Sequence, residues 1–211
     1  MKSNPVHMIG IAGPSGSGKS TLARTLTDRM SGQSCMILHQ DHYYRDQSSL
    51  SLRQRQRLNY DHPEALERSL LAQDLAALQE GHAIKHPVYD FNLHLRKKEC
   101  RETGPADIVI VDGILIFAIP AVRELLNTKI YMDTPLDLCL IHRLHRDVTQ
   151  RGRSVQSVIQ QYLSSVRPMY YQYVLPSRQY ADILAPGDEQ LSEFANKVIA
   201  EIQKARMTEK T

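Results

Sequence analysis

The chain has 211 residues, of which 42% are hydrophobic and 23% charged, and its formal net charge is +3. This composition is typical of a folded domain, and it argues against a disordered chain, a fibrous protein or a long polyanion-binding surface. The sequence contains neither a secretory leader nor the roughly 18 consecutive apolar residues of a transmembrane helix, so we expect a cytoplasmic protein with no membrane or nucleic-acid partner.

The first predicted elements alternate between apolar strands and helices. Residues 8–12 predict a buried strand, and residues 19–30 have the apolar spacing of a helix. A second strand, at 35–38, is followed directly by polar side chains, which is where open α/β sheets bind their ligands. Pro63 predicts the first turn of a helix that continues through Leu78.

The second half of the chain continues this alternation after one interruption. Residues 83–103 predict a β-hairpin excursion outside the main sheet, because polar and apolar residues alternate on both sides of a central turn. The remaining predictions are strands at 108–111, 129–132 and 182–184, helices up to Arg151 and from Ser154 to Tyr173, and a terminal helix to about Lys204. We expect one α/β domain over residues 1–211, with a parallel sheet covered by helices on both faces.

A phosphate-binding loop follows the first predicted strand. Residues 13–20 match the P-loop pattern G-x-x-x-x-G-K-[ST] at every position. Glycines let backbone N–H groups approach phosphate oxygens, and the following helix adds the positive end of its dipole. In this motif the lysine binds the β- and γ-phosphates, and the final hydroxyl binds Mg²⁺. The predicted nucleotide-binding residues are Gly13, Pro14, Ser15, Gly16, Ser17, Gly18, Lys19, Ser20 and Thr21.

Two aspartates at predicted strand ends point to phosphoryl transfer. Asp41 can orient an acceptor alcohol and accept its proton, and Asp112 lies in the Walker-B position, where a carboxylate holds Mg²⁺. The alternative for Asp41 is a helix cap or a solvated loop acid, and the alternative for Asp112 is a purely structural aspartate at a strand end. The sequence does not favour a switch GTPase, because Asn196 and Lys197 lack the aspartate of a guanine-reading loop.

Four arginines within eleven residues suggest a lid over the phosphates. Arg143, Arg146, Arg151 and Arg153 flank Gly152, which can turn the chain between two helices. Arginines that close over a transferring phosphoryl group stabilise its charge and exclude water. We expect a helical lid over residues 143–175, although four arginines on a solvated helix face are an alternative.

Several sequence blocks occur in an order that resembles the uridine–cytidine kinase family of pyrimidine salvage. They are Gln40-Asp41-His42-Tyr43-Tyr44, Asn59-Tyr60-Asp61-His62-Pro63, Pro87-Val88-Tyr89-Asp90-Phe91, Asp112-Gly113-Ile114-Leu115, Asp133-Thr134-Pro135, Arg146-Asp147 with Arg151-Gly152-Arg153, and Arg167-Pro168 through Tyr180-Ala181-Asp182. The resemblance implies transfer of the γ-phosphate of ATP or GTP to the 5′-hydroxyl of uridine or cytidine, with Mg²⁺ as cofactor. It also implies a homo-oligomer, commonly a tetramer.

The resemblance assigns a role to each matching position. Asp41 matches the catalytic acid at the 5′-hydroxyl, and Arg146 and Arg151 match catalytic lid residues that face the phosphates, together with Lys19. The matching acceptor-binding positions are Asp61 and Arg143 at the ribose, Tyr89, Phe91 and His94 around the base, and Arg153 and Gln161. The implied metal ligands are Ser20, Asp41 and Asp112. Aromatic walls suit a flat pyrimidine, although Tyr89 and Phe91 have ordinary hairpin packing as their alternative.

Two departures from the family pattern and two rival functions remain. The family usually has glutamate at the position of Asp112, and it has Pro-Arg-Gly where this chain has Pro186, Gly187 and Asp188. The nearer rival is a related P-loop kinase acting on ribulose 5-phosphate or pantothenate; the cations at 96–98 could serve an acceptor that already carries a phosphate. The other rival is a nucleotide-binding regulator or a nucleic-acid-dependent ATPase.

Overall fold

The computed structural model describes residues 5–30, 32–187 and 191–208, with side chains up to Lys204, and it follows the predicted alternation of strands and helices. The strands are β1 (His7–Ala12), β2 (Cys35–His39), β3 (Ile84–Asp90), β4 (Leu95–Thr103), β5 (Ile108–Asp112), β6 (Thr128–Asp133) and β7 (Ile183–Pro186). The α-helices are α1 (Lys19–Arg29), α2 (Leu52–Arg55), α3 (Arg68–Gln79), α4 (Pro120–Arg123), α5 (Leu136–Arg151), α6 (Val155–Gln161), α7 (Arg167–Met169), α8 (Leu175–Ser177) and α9 (Leu191–Thr208).

The main sheet is parallel and has the order β2-β5-β1-β6-β7. Asp112, the last residue of β5, pairs with His39 of β2 on one side and with Ile11 of β1 on the other. The carboxyl ends of these three central strands therefore meet at one edge. Ligands of open α/β sheets bind at this edge, so the topology brings the residues that follow β1, β2 and β5 together.

Alternate residues of the central strands enter two separate cores. Met8 and Ala12 of β1 face one cluster, which includes Leu75 of α3, whereas Ile9 and Ile11 face a second cluster. Helices α1 and α9 cover that second face, with side chains such as Leu22 and Val198. The predicted parallel sheet with helices on both faces is confirmed, and it explains why these strands are continuously apolar.

The predicted hairpin excursion is also confirmed, since β3 and β4 form a separate antiparallel pair. The pairing register shifts between Pro87 and Tyr89, and proline cannot donate a ladder hydrogen bond, so the irregularity has a local cause. In the connecting turn His94 has φ of +50°, a conformation that costs a non-glycine residue energy.

The helix predicted to begin at Pro63 is wrong in its first part. Residues Pro63–Ala65 form only a 3-10 turn, and Leu66 is extended with φ of −101° and ψ of 147°. Leu66 forms an antiparallel bridge with Tyr44, and the N–H of Glu67 donates to the carbonyl of Tyr43 at 2.9 Å. This long-range pairing overrides local helix propensity, and α3 begins only afterwards.

The arginine-rich region is helical, as predicted, and it continues further than expected. Helix α5 ends at Arg151, and the break predicted at Gly152 is confirmed; this glycine caps the helix in a left-handed conformation with φ of 60°. The next helical stretch runs from α6 to Tyr180 through two π-helical turns, Tyr162–Val166 and Tyr170–Val174. Each π turn lies just before a segment with proline near its start, where the normal helical hydrogen bond is missing. Among the described residues no helix combines the length and apolar character required to cross a bilayer.

Candidate active site

The phosphate loop joins β1 to α1 and forms one wall of a cavity of about 910 Å³. Gly16 and Gly18 both have φ of 89°, and a Cβ built on Gly16 would lie 2.2 Å from the carbonyl oxygen of Cys139. Only glycine fits at position 16, because this part of the loop lies directly against the backbone of α5. Seven of the nine predicted nucleotide-binding residues line the cavity, namely Ser15, Gly16, Ser17, Gly18, Lys19, Ser20 and Thr21. Gly13 and Pro14 do not line it and support the loop instead.

Lys19 is buried and lines this cavity, and within the part of the chain that the structure describes no carboxylate lies within salt-bridge distance of it. Its ammonium donates to the carbonyl oxygen of Pro14 at 2.7 Å and lies 3.4 Å from the hydroxyl of Ser17. Burial lowers the pKa of Lys19 to about 8, and the charges of Asp112 and Asp41 oppose that shift only in part. An anionic group in the cavity would stabilise the charged form of Lys19.

Asp112 is held from two sides at the same edge of the sheet. The hydroxyl of Ser20 donates to its Oδ2 at 2.5 Å, and Nδ1 of His39 lies 2.6 Å from its Oδ1. Burial alone would raise the pKa of Asp112, but the hydrogen bond and charge of His39 and the hydrogen bond from Ser20 outweigh it, and the pKa is lowered. The carboxylate is therefore ionised.

The side chains at this edge of the sheet are of the types that bind a magnesium ion. Ser20, Asp41 and Asp112 supply hard oxygen donors on one cavity, and Mg²⁺ typically takes one or two carboxylates together with waters and substrate phosphates. Sequence reasoning did not identify His39 as a partner of Asp112. His39 contacts Asp112 because β2 lies next to β5 in the sheet, and this strand order is not visible in the sequence.

Asp41 lies where two cavities join. It belongs to a 3-10 turn, Gln40–Tyr43, that follows β2 directly, and the hydroxyl of Tyr44 donates to its Oδ1 at 3.3 Å. A second cavity, of about 1170 Å³, shares Asp41, Phe91, Gln150 and Arg151 with the first. A carboxylate at this junction can contact an alcohol in one cavity and a phosphoryl group in the other.

All seven predicted acceptor-binding residues line this second cavity. They are Asp61, Tyr89, Phe91, His94, Arg143, Arg153 and Gln161. The rings of Tyr89 and Phe91 meet edge to face at 5.3 Å, and His94 stacks on Tyr60 at 5.3 Å with 29° between the ring planes. The aromatic residues of the hairpin thus pack on one another and also form a cavity wall, so the packing and binding interpretations are compatible.

Asp61 and Arg143 form a polar side of this second cavity. Asp61 is only 7% exposed; burial raises its pKa, and the charge of Arg143 opposes the rise. Arg143 donates to the hydroxyl of Ser15 at 2.7 Å and to Oε1 of Gln161 at 2.8 Å. Arg153 donates to the same amide oxygen at 2.5 Å. A carboxylate beside a guanidinium provides the acceptor and donor that a vicinal diol requires.

The arginine cluster is not a solvated helix face. Arg143, Arg146, Arg151 and Arg153 surround the carboxylate of Asp147, and their side chains are only 8% to 33% exposed. Arg146 and Arg151 line the cavity beside the phosphate loop, and the Arg151 guanidinium lies 4.5 Å above the ring of Phe91. Sequence reasoning assigned no role to Asp147.

The residues that would support the rival functions lie elsewhere. Arg96 pairs with Glu67 at 3.0 Å, Lys97 and Lys98 are exposed, and none of the three lines either cavity. Asn196 lies inside α9, where its amide oxygen accepts from Arg29 at 2.9 Å. Of the second family departure, Asp188 lies outside the described residues.

Comparison with known proteins gives one family. The model of the phosphoribulokinase/uridine kinase family matches residues 8–190. The chain is 43% identical to the uridine kinase of Shewanella amazonensis over 98% of this chain and 97% of that one, and 48% identical to the uridine kinase of Clostridium botulinum (strain Okra) over 85% and 87%. In fold it is similar to the phosphoribulokinase of Rhodobacter spheroides, with a TM-score of 0.63, 16% identity, and coverage of 87% of this chain and 71% of that one.

Proposed function

The chain belongs to the phosphoribulokinase/uridine kinase family, and we propose that it is a nucleoside kinase that transfers the γ-phosphate of ATP or GTP to the 5′-hydroxyl of uridine or cytidine. Two uridine kinases at 43% and 48% identity support uridine as acceptor. The observation that carries the proposal is the junction at Asp41. There the cavity lined by the phosphate loop, called the nucleotide cavity below, meets the one lined by Asp61, Tyr89 and His94, called the acceptor cavity.

The phosphate loop holds the donor. Backbone N–H groups around Gly16 and Gly18, at the start of α1, bind the triphosphate oxygens, and the ammonium of Lys19 binds the β- and γ-phosphates. Bound Mg²⁺ would supply Lewis-acid chemistry that offsets the negative charge of the phosphates. Ser20, Asp41 and Asp112 would hold it, because they present hydroxyl and carboxylate oxygens to this cavity.

Asp41 acts on the acceptor. Its carboxylate orients the 5′-hydroxyl towards the γ-phosphorus and accepts the hydroxyl proton as the new P–O bond forms and the bond to the β-phosphate oxygen breaks. Arg146 and Arg151 face the same cavity and stabilise the charge that spreads over the transferring group. Closure of the lid formed by α5 and α6 would exclude water and so limit hydrolysis.

The acceptor cavity suits a nucleoside better than a sugar phosphate. The Asp61 carboxylate and the Arg143 guanidinium complement the ribose 2′- and 3′-hydroxyls, and the rings of Phe91 and Tyr89 provide apolar walls for a flat base. A pre-existing phosphate on the acceptor would need further cations at its binding position. Arg96 of the hairpin pairs with Glu67 outside the cavity, and the cavity-lining Arg143, Arg151 and Arg153 already pair with Asp147.

A phosphorylation screen tests the proposal. Purified protein with Mg²⁺ and ATP or GTP is incubated with uridine, cytidine, adenosine, pantothenate or ribulose 5-phosphate, and products are separated by anion-exchange chromatography. We expect UMP and CMP, and no ribulose 1,5-bisphosphate or phosphopantothenate. Triphosphate hydrolysis that RNA or DNA stimulates, with no nucleoside monophosphate formed, would support the nucleic-acid-dependent ATPase instead.

A further inference from the structure

One buried carboxylate lies between the two cavities. Asp147 is 0% exposed, and its Oδ1 lies 2.8 Å from the guanidinium of Arg146 and 3.3 Å from that of Arg151. Its Oδ2 lies 3.7 Å from Arg143 and 3.4 Å from Arg153. Four guanidinium groups therefore share a single carboxylate, two at each oxygen.

The two oxygens serve different cavities. Arg146 and Arg151, at Oδ1, line the nucleotide cavity, whereas Arg143 and Arg153, at Oδ2, line the acceptor cavity. Arg151 reaches both cavities. Asp147 thus contacts the cationic groups of the donor site with one side of its carboxylate and those of the acceptor site with the other.

The backbone strengthens this connection. The carbonyl oxygen of Asp147 accepts from the N–H of Gly152, the left-handed cap of α5, and from the N–H of Arg153 at 3.1 Å. Arg143 also reaches the phosphate loop through Ser15, and it shares the amide oxygen of Gln161 with Arg153. Direct contacts therefore connect the arginines of one cavity to those of the other.

The charge balance sets the direction of the effect. Four positive groups contact one carboxylate directly, and Asp61 near Arg143 and Asp41 near Arg151 add only more distant negative charge, so the positive groups outnumber the negative ones. Phosphate oxygens in the nucleotide cavity would attract Arg146 and Arg151. These two arginines would then repel Arg143 and Arg153 less strongly, and would compete with them less for the carboxylate of Asp147. Asp147 would then hold Arg143 and Arg153 more firmly in their binding positions.

We propose that Asp147 is a positioning residue that couples the two cavities, so that a bound nucleoside triphosphate increases the affinity for the nucleoside. The proposal rests on the proposed function and adds a regulation of that same site. Coupling of this kind is reciprocal, so the nucleoside also increases the affinity for the triphosphate by the same factor. A residue that only stabilised the fold would change stability without changing that factor.

Isothermal titration calorimetry tests the coupling directly. The dissociation constant of uridine is measured with and without the saturating β,γ-methylene analogue of ATP and Mg²⁺, and the ratio of the two constants is the coupling factor. We expect the unchanged protein to bind uridine about fivefold or more tightly when the analogue is present. In Asp147→Asn, which keeps the shape but removes the charge, the factor should fall to near 1.

A matched control and a second variant complete the test. Asp133→Asn removes another aspartate that pairs with an arginine, Arg178 at 2.7 Å, but lines neither cavity, and it should keep the coupling factor of the unchanged protein. Asp147→Glu keeps the charge and displaces it by one methylene, and it should lower the factor even if Asp147→Asn does not fold.

The failures of the two proposals are distinguishable. Equal affinity for uridine with and without the analogue in the unchanged protein would overturn the coupling while leaving a nucleoside kinase in place. An unaltered factor in folded Asp147→Asn would overturn the role of Asp147. Absence of uridine binding under both conditions would overturn the proposed function and this inference with it.

Discussion

Nδ1 of His39 lies 2.6 Å from Oδ1 of Asp112, and the two residues are direct neighbours across β2 and β5. The other oxygen of the same carboxylate accepts from Ser20. The family resemblance implies a glutamate at this position, which would be one methylene longer. In this protein the shorter side chain is oriented by a histidine on the adjacent strand, so its direction does not depend on Ser20 alone.

The His39–Asp112 pair makes a prediction about stability and pH. The hydrogen bond to Asp112, opposed by burial, raises the pKa of His39 above 6.5. The folded state therefore holds the proton more tightly than the unfolded state, and the stabilisation is fully present below about pH 6.5 and lost as the pH rises through the folded pKa. We expect the Tm difference between the unchanged protein and His39→Ala to be largest near pH 6 and to shrink on raising the pH. Differential scanning calorimetry from pH 5.5 to 9 measures it.

His82 provides the control for this pH dependence. It also lies near a carboxylate, Glu80 at 3.4 Å, but both side chains are about 70% exposed. His82→Ala should therefore leave the Tm profile unchanged. A Tm difference for His39→Ala that stayed constant over the whole range would show that the histidine contributes packing and not charge.

Asp41→Asn should separate chemistry from donor binding. The amide keeps the shape and can still accept from Tyr44, but it cannot accept the hydroxyl proton, so kcat should fall roughly 100-fold or more. Nucleotide affinity should fall much less than kcat, because Lys19 and the phosphate loop are unchanged and the new amide oxygen, Ser20 and Asp112 can still hold Mg²⁺. Steady-state kinetics and nucleotide titration measure the two effects. Asp46→Asn, in the loop beyond the cavities, is the matched control, and an unchanged kcat in Asp41→Asn would remove Asp41 from the mechanism.

Asp61→Ala should remove selection for ribose. A hydrogen bond to a buried charged group contributes about 1.5–3 kcal/mol, so KM for uridine should rise roughly 10- to 150-fold, with a smaller effect on kcat. The unchanged protein should discriminate against 2′-deoxyuridine, and the variant should lose most of that preference. Parallel kinetics with both nucleosides measure it. Equal discrimination in both proteins would mean that Asp61 does not contact the sugar hydroxyls.

Gly16→Ala should damage the junction between the phosphate loop and α5. The residue has φ of +89°, and the added Cβ would lie 2.2 Å from the backbone oxygen of Cys139, which cannot move without the helix. We expect a loss of about 2 kcal/mol or more in the free energy of unfolding, together with weaker nucleotide binding. Urea denaturation measures the stability.

Gly104→Ala is the matched control for that substitution. A Cβ there meets no atom within 4 Å, and its φ lies outside the left-handed range. The change should stay within about 0.5 kcal/mol. Similar losses in both variants would attribute the effect of Gly16→Ala to lost backbone freedom in general and not to the contact with α5.

Local patterns account for most of the elements that were predicted correctly. The strand before Gly13 and the helix after Gly18 are confirmed because a phosphate loop imposes both neighbours on the chain. The helix break at Gly152 is confirmed, because glycine adopts the left-handed conformation found there without strain. The helix predicted to start at Pro63 is wrong in its first part. Leu66 pairs with Tyr44, which is distant in the sequence, and this pairing keeps the segment extended where local propensity favours a helix.

Asp147 and His39 show two different reasons for a missed residue. Asp147 lies four residues from Arg143 and four from Arg151, which is the helical spacing of ion pairs, so the sequence contained a signal. His39 had no comparable signal, since its contact with Asp112 depends on β2 lying next to β5 in the sheet.

The sequence by itself determined the phosphate loop, the alternation of strands and helices, and the residue types available for the proposed acceptor site. These features depend on local geometry: glycine dihedrals, hydrophobic periodicity and the positions of polar groups after strands. Only the tertiary structure decided that two cavities join at Asp41 and that one carboxylate, Asp147, is shared by four arginines. Such relationships join residues from separate elements, and their distances are set by strand order and helix packing, which no local pattern encodes.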